Sequence, residues 1–314
     1  MIAAFVNPHS RANRKDPGLA SRLSQALGDA GRVIAPRSLE ALDAEAAALA
    51  QTPPSIIAVH GGDGTLHRTL TALARAFGDR PLPPVAILGG GTMNVVASSL
   101  GIRAPAIPYL TRLAERVRAG RPPKVLHRRC MRIDGTLGFV FGNGLLANFL
   151  VDYYQGGAYG PARAVWLLFR LFLSALVRGP FVRRVFHRFR GRVTVDGRLL
   201  EFPDLMAVGA ATVREVGMGF KLLHRADDDP ERFAVLAIHA GALALVPDLL
   251  AVRTGRGISP AHALSTVASD LEIRPLELDT PYTIDGDLYR ANGPLHISIG
   301  PKLAIVDPRP DPHP

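Results

Sequence analysis

In the first hundred residues, short unbroken apolar runs alternate with longer stretches that repeat every three to four positions. The runs are 2–7 (IAAFVN), 32–35, 55–60 (SIIAVH) and 85–88 (VAIL), each bounded by turn residues. Between them, 19–27, 39–49, 65–77 and about 94–100 have helical spacing; Gly28 and Gly31 close the first and Pro53-Pro54 the second. Fully apolar strands alternating with helices predict an α/β domain with a parallel sheet covered on both faces. In such sheets, ligands bind at the loops after the carboxyl ends of the strands.

The texture changes after Pro122-Pro123. Short alternating segments are broken by Asp-Gly pairs at Asp134-Gly135, Asp196-Gly197 and Asp285-Gly286, within 130–142, 192–202 and 282–289. Asp-Gly between alternating apolar positions marks a tight hairpin turn, so this half is expected to be a mostly antiparallel β-sandwich. A strand is expected at 233–239, and helices at about 161–178 and 241–253. The expected domains are 1–122 and 123–314, with the last strand free to return to the first. The Pro-rich tail 307–314 is expected to fray.

Composition narrows the chemistry. With Cys130 as the only cysteine, an intrachain disulfide and a cysteine metal cluster are both excluded, which fits a cytoplasmic setting. The apolar run 164–177 has 14 residues and contains Arg170, whereas a bilayer span needs roughly 20. Charge is unevenly placed. Residues 116–195 hold 15 Lys/Arg against Asp134 and Asp152, while the remainder holds 22 basic and 25 acidic residues. That patch suits an anionic partner, and an anionic membrane surface fits best, because Trp166, Phe169 and other aromatics lie among its arginines. No nucleic-acid-binding pattern accompanies the charge. Oligomeric state is left open.

Three strand ends carry the candidate chemistry. His60-Gly61-Gly62-Asp63-Gly64-Thr65 lies between an apolar strand and a helix. Gly61, Gly62 and Gly64 let the backbone approach a phosphate, and the helix start aims N–H groups at it. Asp63 is placed to hold Mg²⁺ or to orient a phosphate-bound water; the plainer alternative is a helix cap. The next strand ends in Gly89-Gly90-Gly91-Thr92-Met93-Asn94, and the first in Asn7-Pro8-His9-Ser10. All three present small or hydroxyl residues where a nucleotide's phosphates would lie.

These three motifs, in this order and spacing, resemble the diacylglycerol kinase catalytic-domain family, which includes sphingosine, ceramide and bacterial lipid kinases and shares its nucleotide-binding fold with NAD kinases. The resemblance implies an ATP- and Mg²⁺-dependent kinase that phosphorylates a lipid hydroxyl, with an active site between an α/β domain and a β-sandwich domain. It places Asn7, Ser10, Gly62, Asp63, Gly64, Thr65, Gly91, Thr92 and Asn94 around the nucleotide, together with the neighbouring Gly61 and Gly90. The family's third landmark is matched by Asp285-Gly286-Asp287, which makes Asp285 the implied general base, with Asp63 as the competing candidate. Asp287 is a further candidate metal ligand.

Asp227, Asp228 and Asp229 match a stretch where family members build a structural Mg²⁺ site; an exposed turn would look the same. Asn148 stands where sphingosine kinases have a head-group-contacting acid, and Trp166 and Phe169 are candidate lipid contacts. The chain departs from the family at Val95, Leu146 and Asp287. These departures leave the lipid's identity open. An NAD kinase-type enzyme and a non-catalytic lipid- or nucleotide-binding regulator are the alternatives. The implied location is the cytoplasm, peripherally at the inner face of the membrane.

Overall fold

The computed structural model describes residues 1–91, 93–155, 185–202, 204–217 and 219–309. The chain divides into two compact units, Met1–Arg128 with Lys302–Pro314, and Arg129–Pro301.

The first unit is the predicted parallel α/β layer. Strands β1 (Ile2–Val6), β2 (Gly31–Ile34), β3 (Ile56–Gly61) and β4 (Val85–Gly89) stand in the order β2-β1-β3-β4. Residues 302–306 of the chain's last strand extend the sheet beside β4, with Ile305 opposite Val85. Every residue of β1 and β3 is buried, as expected for strands covered on both faces.

Helices α1 (Arg11–Lys15), α2 (Leu19–Leu27), α3 (Leu39–Gln51), α4 (Asp63–Phe77), α5 (Val95–Ser99) and α6 (Ala106–Arg118) follow in chain order. Helix α4 packs inward through Leu66, Leu70, Leu73 and Phe77, one helical stripe. Two of the six were not anticipated from the pattern. Helix α1 is only five residues long, and α6 hides its amphipathic period behind Pro105 and Pro108. The Tyr109 hydroxyl on α6 donates to the Val306 carbonyl at 2.7 Å, tying the helix to the last strand.

The second unit is a pair of mainly antiparallel sheets built from β5 (Val125–Ile133), β6 (Thr136–Gly138), β7 (Val140–Asn143), β8 (Phe189–Val195), β9 (Arg198–Leu199), β10 (Asp204–Leu205), β11 (Ala207–Ala211), β12 (Phe233–Ile238), β13 (Ala263–Ala268), β14 (Asp270–Pro275), β15 (Thr280–Ile284), β16 (Asp287–Ala291) and β17 (Leu295–Val306). One sheet runs β13-β12-β11-β7-β15-β16. The other runs β10-β8-β14-β17, with β5, β6 and β9 at its sides. Phe141, Phe233, Val235 and Tyr282 of the first share a core with Phe189, Val193, Leu271, Ile273 and Ile297 of the second. This is the sandwich that the alternating pattern predicted.

Two helices complete the described part of this unit, α7 (Leu145–Gln155) and α8 (Asp248–Thr254). The continuous helix expected at 241–253 is broken. A 3₁₀ turn covers Ala242–Leu245, and Pro247, which has no N–H to donate, stands at the N-cap of α8. The helix expected at 161–178 lies outside the described residues.

Phe233 is fully buried between the sheets, so Phe233→Ala should lower stability by about 3–5 kcal/mol in urea unfolding of the whole chain. A loss below about 1 kcal/mol would contradict this packing.

Candidate functional site

Register brings three turns of the first unit to one level. In the parallel ladder Val6 lies opposite His60, and His60 lies opposite Leu88, so β1, β3 and β4 end side by side. Their loops are then sewn together. The Asn7 side chain donates to the Thr65 hydroxyl at 2.9 Å and accepts from the His9 amide at 2.8 Å. Ser10 is buried as the N-cap of α1, accepting from the Asn13 amide. The Asn13 side chain donates to the Asn7 carbonyl at 2.7 Å and to the Ser10 hydroxyl at 3.0 Å. Sequence reading passed over Asn13, because its role depends on folding back over its own turn.

The glycine turns touch directly. The Gly90 amide donates to the Gly61 carbonyl at 2.8 Å. A Cβ on Gly91 would sit 2.4 Å from the Gly62 Cα, one on Gly61 2.5 Å from the Thr65 side chain, and one on Gly90 2.7 Å from the His60 ring. Glycine is therefore required by contact at these positions rather than by backbone dihedral angle. Gly62 is the N-cap of α4, and Asp63, Gly64 and Thr65 form its first turn. The N–H groups of a first helical turn have no partner within the helix, and the helix dipole makes that end favourable for an anion. Buried His60 lies beneath; desolvation holds its imidazole below the ordinary pKa, so it stays neutral there.

Asn94 shapes the third turn. Its backbone is left-handed (φ 48°), a conformation that asparagine tolerates better than most residues. Its side-chain oxygen accepts from the Gly91 amide at 2.9 Å, and its amide group donates to the Gly91 carbonyl at 3.3 Å. Thr92 lies outside the described residues.

Asp63 does something that neither sequence-level alternative described. Its carboxylate accepts from the Val95 amide at 2.9 Å and from the Val96 amide at 3.0 Å, so it caps α5 across the gap between two turns, not its own helix. Burial pushes this carboxyl above the ordinary range, while the Val96 and Val95 amides pull it back. A small hollow lined by Gly61, Gly62, Asp63, Leu66, Ile87 and Asn94 lies at this junction.

In the second unit, Asp285 and Gly286 form the two-residue loop between β15 and β16, both with positive φ (48° and 85°), as a type I′ turn requires. Asp285 is buried, and its carboxylate accepts from the Val140 amide at 2.8 Å and the Phe139 amide at 3.1 Å. Its own amide donates to the Val140 carbonyl at 2.9 Å. The hydroxyl of Tyr154 on α7 donates to the Gly286 carbonyl at 2.8 Å. Neither the 139–140 peptide nor Tyr154 could be tied to this turn from sequence, because sheet pairing brings the first there and the packing of α7 the second. Asp287 pairs with Ile284 across the hairpin.

The remaining candidates separate. Asp227 pairs with Arg214 at 2.7 Å, Asp228 pairs with Arg225 at 2.7 Å, and Asp229 accepts from the Glu231 amide at 2.9 Å. The three carboxylates expected around a metal thus face three different partners. Among the described residues no three His, Cys, Asp or Glu side chains converge as metal ligands. Asn148 on α7 donates to the Val185 carbonyl at 3.3 Å and lines a hollow with His187, Arg188, Arg190, Asp279 and Thr280. Trp166 and Phe169 lie outside the described residues.

Comparison with known proteins supports the fold. Residues 1–122 match the model of the diacylglycerol kinase catalytic domain. Among solved structures it is similar to a diacylglycerol kinase from Bacillus anthracis str. Sterne (TM-score 0.65, 14% identity, covering 97% of this chain and 96% of that one). A candidate diacylglycerol kinase of the same strain aligns with a TM-score of 0.70 at 15% identity over 97% and 96% of the two chains. At such identities the likeness shows the fold. No curated protein matches the chain.

Removing the Asp63 carboxylate leaves two α5 amides without their acceptor. Asp63→Ala should therefore cost about 1–3 kcal/mol and Asp63→Asn less, measured by urea unfolding. Equal stability of all three forms would contradict the bridging role.

Proposed function

We propose that the chain transfers the terminal phosphoryl group of ATP to a hydroxyl of diacylglycerol or a related glycero- or sphingoid lipid at a membrane surface. The observation that carries this reading is the direct contact of Gly62 and Gly91 at the start of α4, inside a diacylglycerol kinase catalytic domain. Backbone that close leaves no side chain between a phosphate and the N–H groups of the turn.

In this reading the lipid hydroxyl oxygen attacks the γ-phosphorus, the bond from that phosphorus to the β–γ bridging oxygen breaks, and ADP leaves. Asp285 accepts the hydroxyl proton. Phosphoryl transfer asks the protein mainly for positioning and charge neutralisation, which backbone amides and one fixed carboxylate supply. Mg²⁺ neutralises phosphate charge in such reactions and is commonly held by one or two carboxylates together with the phosphates themselves. Of the candidate carboxylates, Asp63 lines the hollow at the glycine turns and would help to hold the ion there, whereas Asp227, Asp228 and Asp229 face separate partners.

The basic segment 116–195 supports peripheral attachment to an anionic membrane. Among the described residues no helix is long and apolar enough to cross a membrane. Within that segment Arg118, Arg129 and Arg188 are spent on Asp29, Glu231 and Asp204, leaving Arg121, Arg132, Arg190 and Arg192 among its exposed cations.

The direct test is radiolabelled ATP with diacylglycerol, sphingosine, ceramide and NAD in separate mixed-micelle assays. Label on a lipid is expected; label on NAD alone would replace the reading with a nucleotide kinase. Gly91→Ala should weaken ATP binding by about tenfold or more, since its Cβ meets backbone rather than a yielding side chain. Asp285→Asn should lower turnover by about 10²-fold or more while ATP affinity stays unchanged. Normal turnover in that variant would move the base elsewhere.

A further inference from the structure

The segment 241–256 carries its polarity in reverse. Leu245 and Val252 pack inward against Leu223 and Ile258, and the third inward position of the same stripe is an acid, Asp248. Four large apolar side chains face outward instead: Leu243 at 64% exposure, Val246 at 47%, Leu249 at 55% and Leu250 at 70%. Of the ten large hydrophobic residues that the described chain exposes, these four fall within eight consecutive positions. Scattered exposed leucines need no explanation, but a contiguous group does.

The reversal is anchored. Asp248 Oδ2 lies 2.7 Å from His262 Nδ1, and Oδ1 accepts from the Ser259 amide at 3.3 Å. The Val252 carbonyl accepts from the Lys221 amide at 3.2 Å, and Gly255 (φ 84°) ends α8. With an acid held on the inside, α8 cannot roll to bury its leucines without stripping that acid of its partners.

Charge completes the picture. Asp248 is the only acid in 241–256, whereas exposed Arg253 and Arg256 follow the apolar group. The Arg253 guanidinium lies 5.6 Å from the Phe220 ring centre, and Lys221 packs beside Gly255. An apolar knob with a cationic margin matches a bilayer that has hydrocarbon within and phosphates at its surface.

We propose that this knob docks the second unit on an anionic bilayer, with Leu243, Val246, Leu249 and Leu250 entering the hydrocarbon edge and Arg253, Arg256 and Lys221 meeting lipid phosphates. This deepens the lipid kinase reading and rests on it for its purpose, since that reading puts the acceptor in a bilayer. A second copy of the chain fits less well. A twofold contact through this patch would set arginines against arginines, and four side chains fall far short of the roughly 20–30 residues a side of a standard protein interface. A seven-residue helix is also far below the roughly 20 residues of a span, so the contact is interfacial.

The test is co-sedimentation of the full chain with vesicles of mixed phosphatidylglycerol and phosphatidylcholine, and with phosphatidylcholine alone. Wild type should bind the anionic vesicles. Leu249→Glu/Leu250→Glu should bind about tenfold less, and Arg256→Glu should lose part of the binding and much of its salt sensitivity. Both variants should retain wild-type circular dichroism and phosphorylate a short-chain, water-soluble diacylglycerol at the wild-type rate. Undiminished vesicle binding by the double variant would overturn the proposal. So would a wild-type dimer that the double variant lacks, because it would assign the knob to a second copy. If the double variant loses binding but wild type phosphorylates no lipid, docking stands and the kinase reading falls.

Discussion

The contact between Gly62 and Gly91 is the constraint on which the first unit's site depends. Two loops from neighbouring parallel strands meet backbone to backbone, closer than any Cβ would allow. Level strand ends, set by the ladder register, bring the loops together, and glycine then removes what would hold them apart. The meeting places the start of α4 beside the turn that precedes α5, and it leaves a gap that the Asp63 carboxylate spans to the Val95 and Val96 amides. The motif's acid is thus part of the scaffold. It fixes the separation of two glycine turns, and any ligand there meets amides already held in place.

The same use of aspartate recurs in the second unit. Asp134, Asp196 and Asp285 each sit with positive φ at the first position of an Asp-Gly turn, and each carboxylate accepts from one or two backbone amides in or beside a neighbouring strand. A short side chain that tolerates left-handed backbone and also reaches an adjacent strand closes a hairpin and staples the sheet at once. Asp285 differs in burial, and its partners are the amides of Phe139 and Val140. Turn chemistry alone does not separate it from its two counterparts.

At the surface of the second unit, polar and apolar positions are exchanged. Asp248 is drawn inside by His262 and Ser259 while four apolar neighbours face out. A sequence pattern records how many apolar positions a segment has, not which stripe is covered. An inward acid is stable only where partners wait for it, and those partners lie on a different stretch of chain.

What the amino-acid sequence determined by itself was local. The apolar runs and their glycine and proline boundaries defined β1, β3, β4, α2, α3 and α4 to within a few residues, and the Asp-Gly pairs marked three hairpins of the second unit. Side-chain period and turn chemistry act over a handful of neighbours, so they can be read along the chain. Helices α1 and α6 escaped because one is too short to show a period and the other is crossed by prolines. The glycine motifs marked the candidate phosphate site, but part of what its residues do was decided by tertiary structure. Asp63 serves the helix after the next strand, Asn94 folds over Gly91, and Asp227–Asp229 are drawn apart by Arg214, Arg225 and a local turn. A carboxylate takes whichever donors the fold brings within 3 Å or so. The donors to Asp63 stand 32 and 33 positions away and those to Asp285 stand 145 and 146 away, where no local pattern reaches.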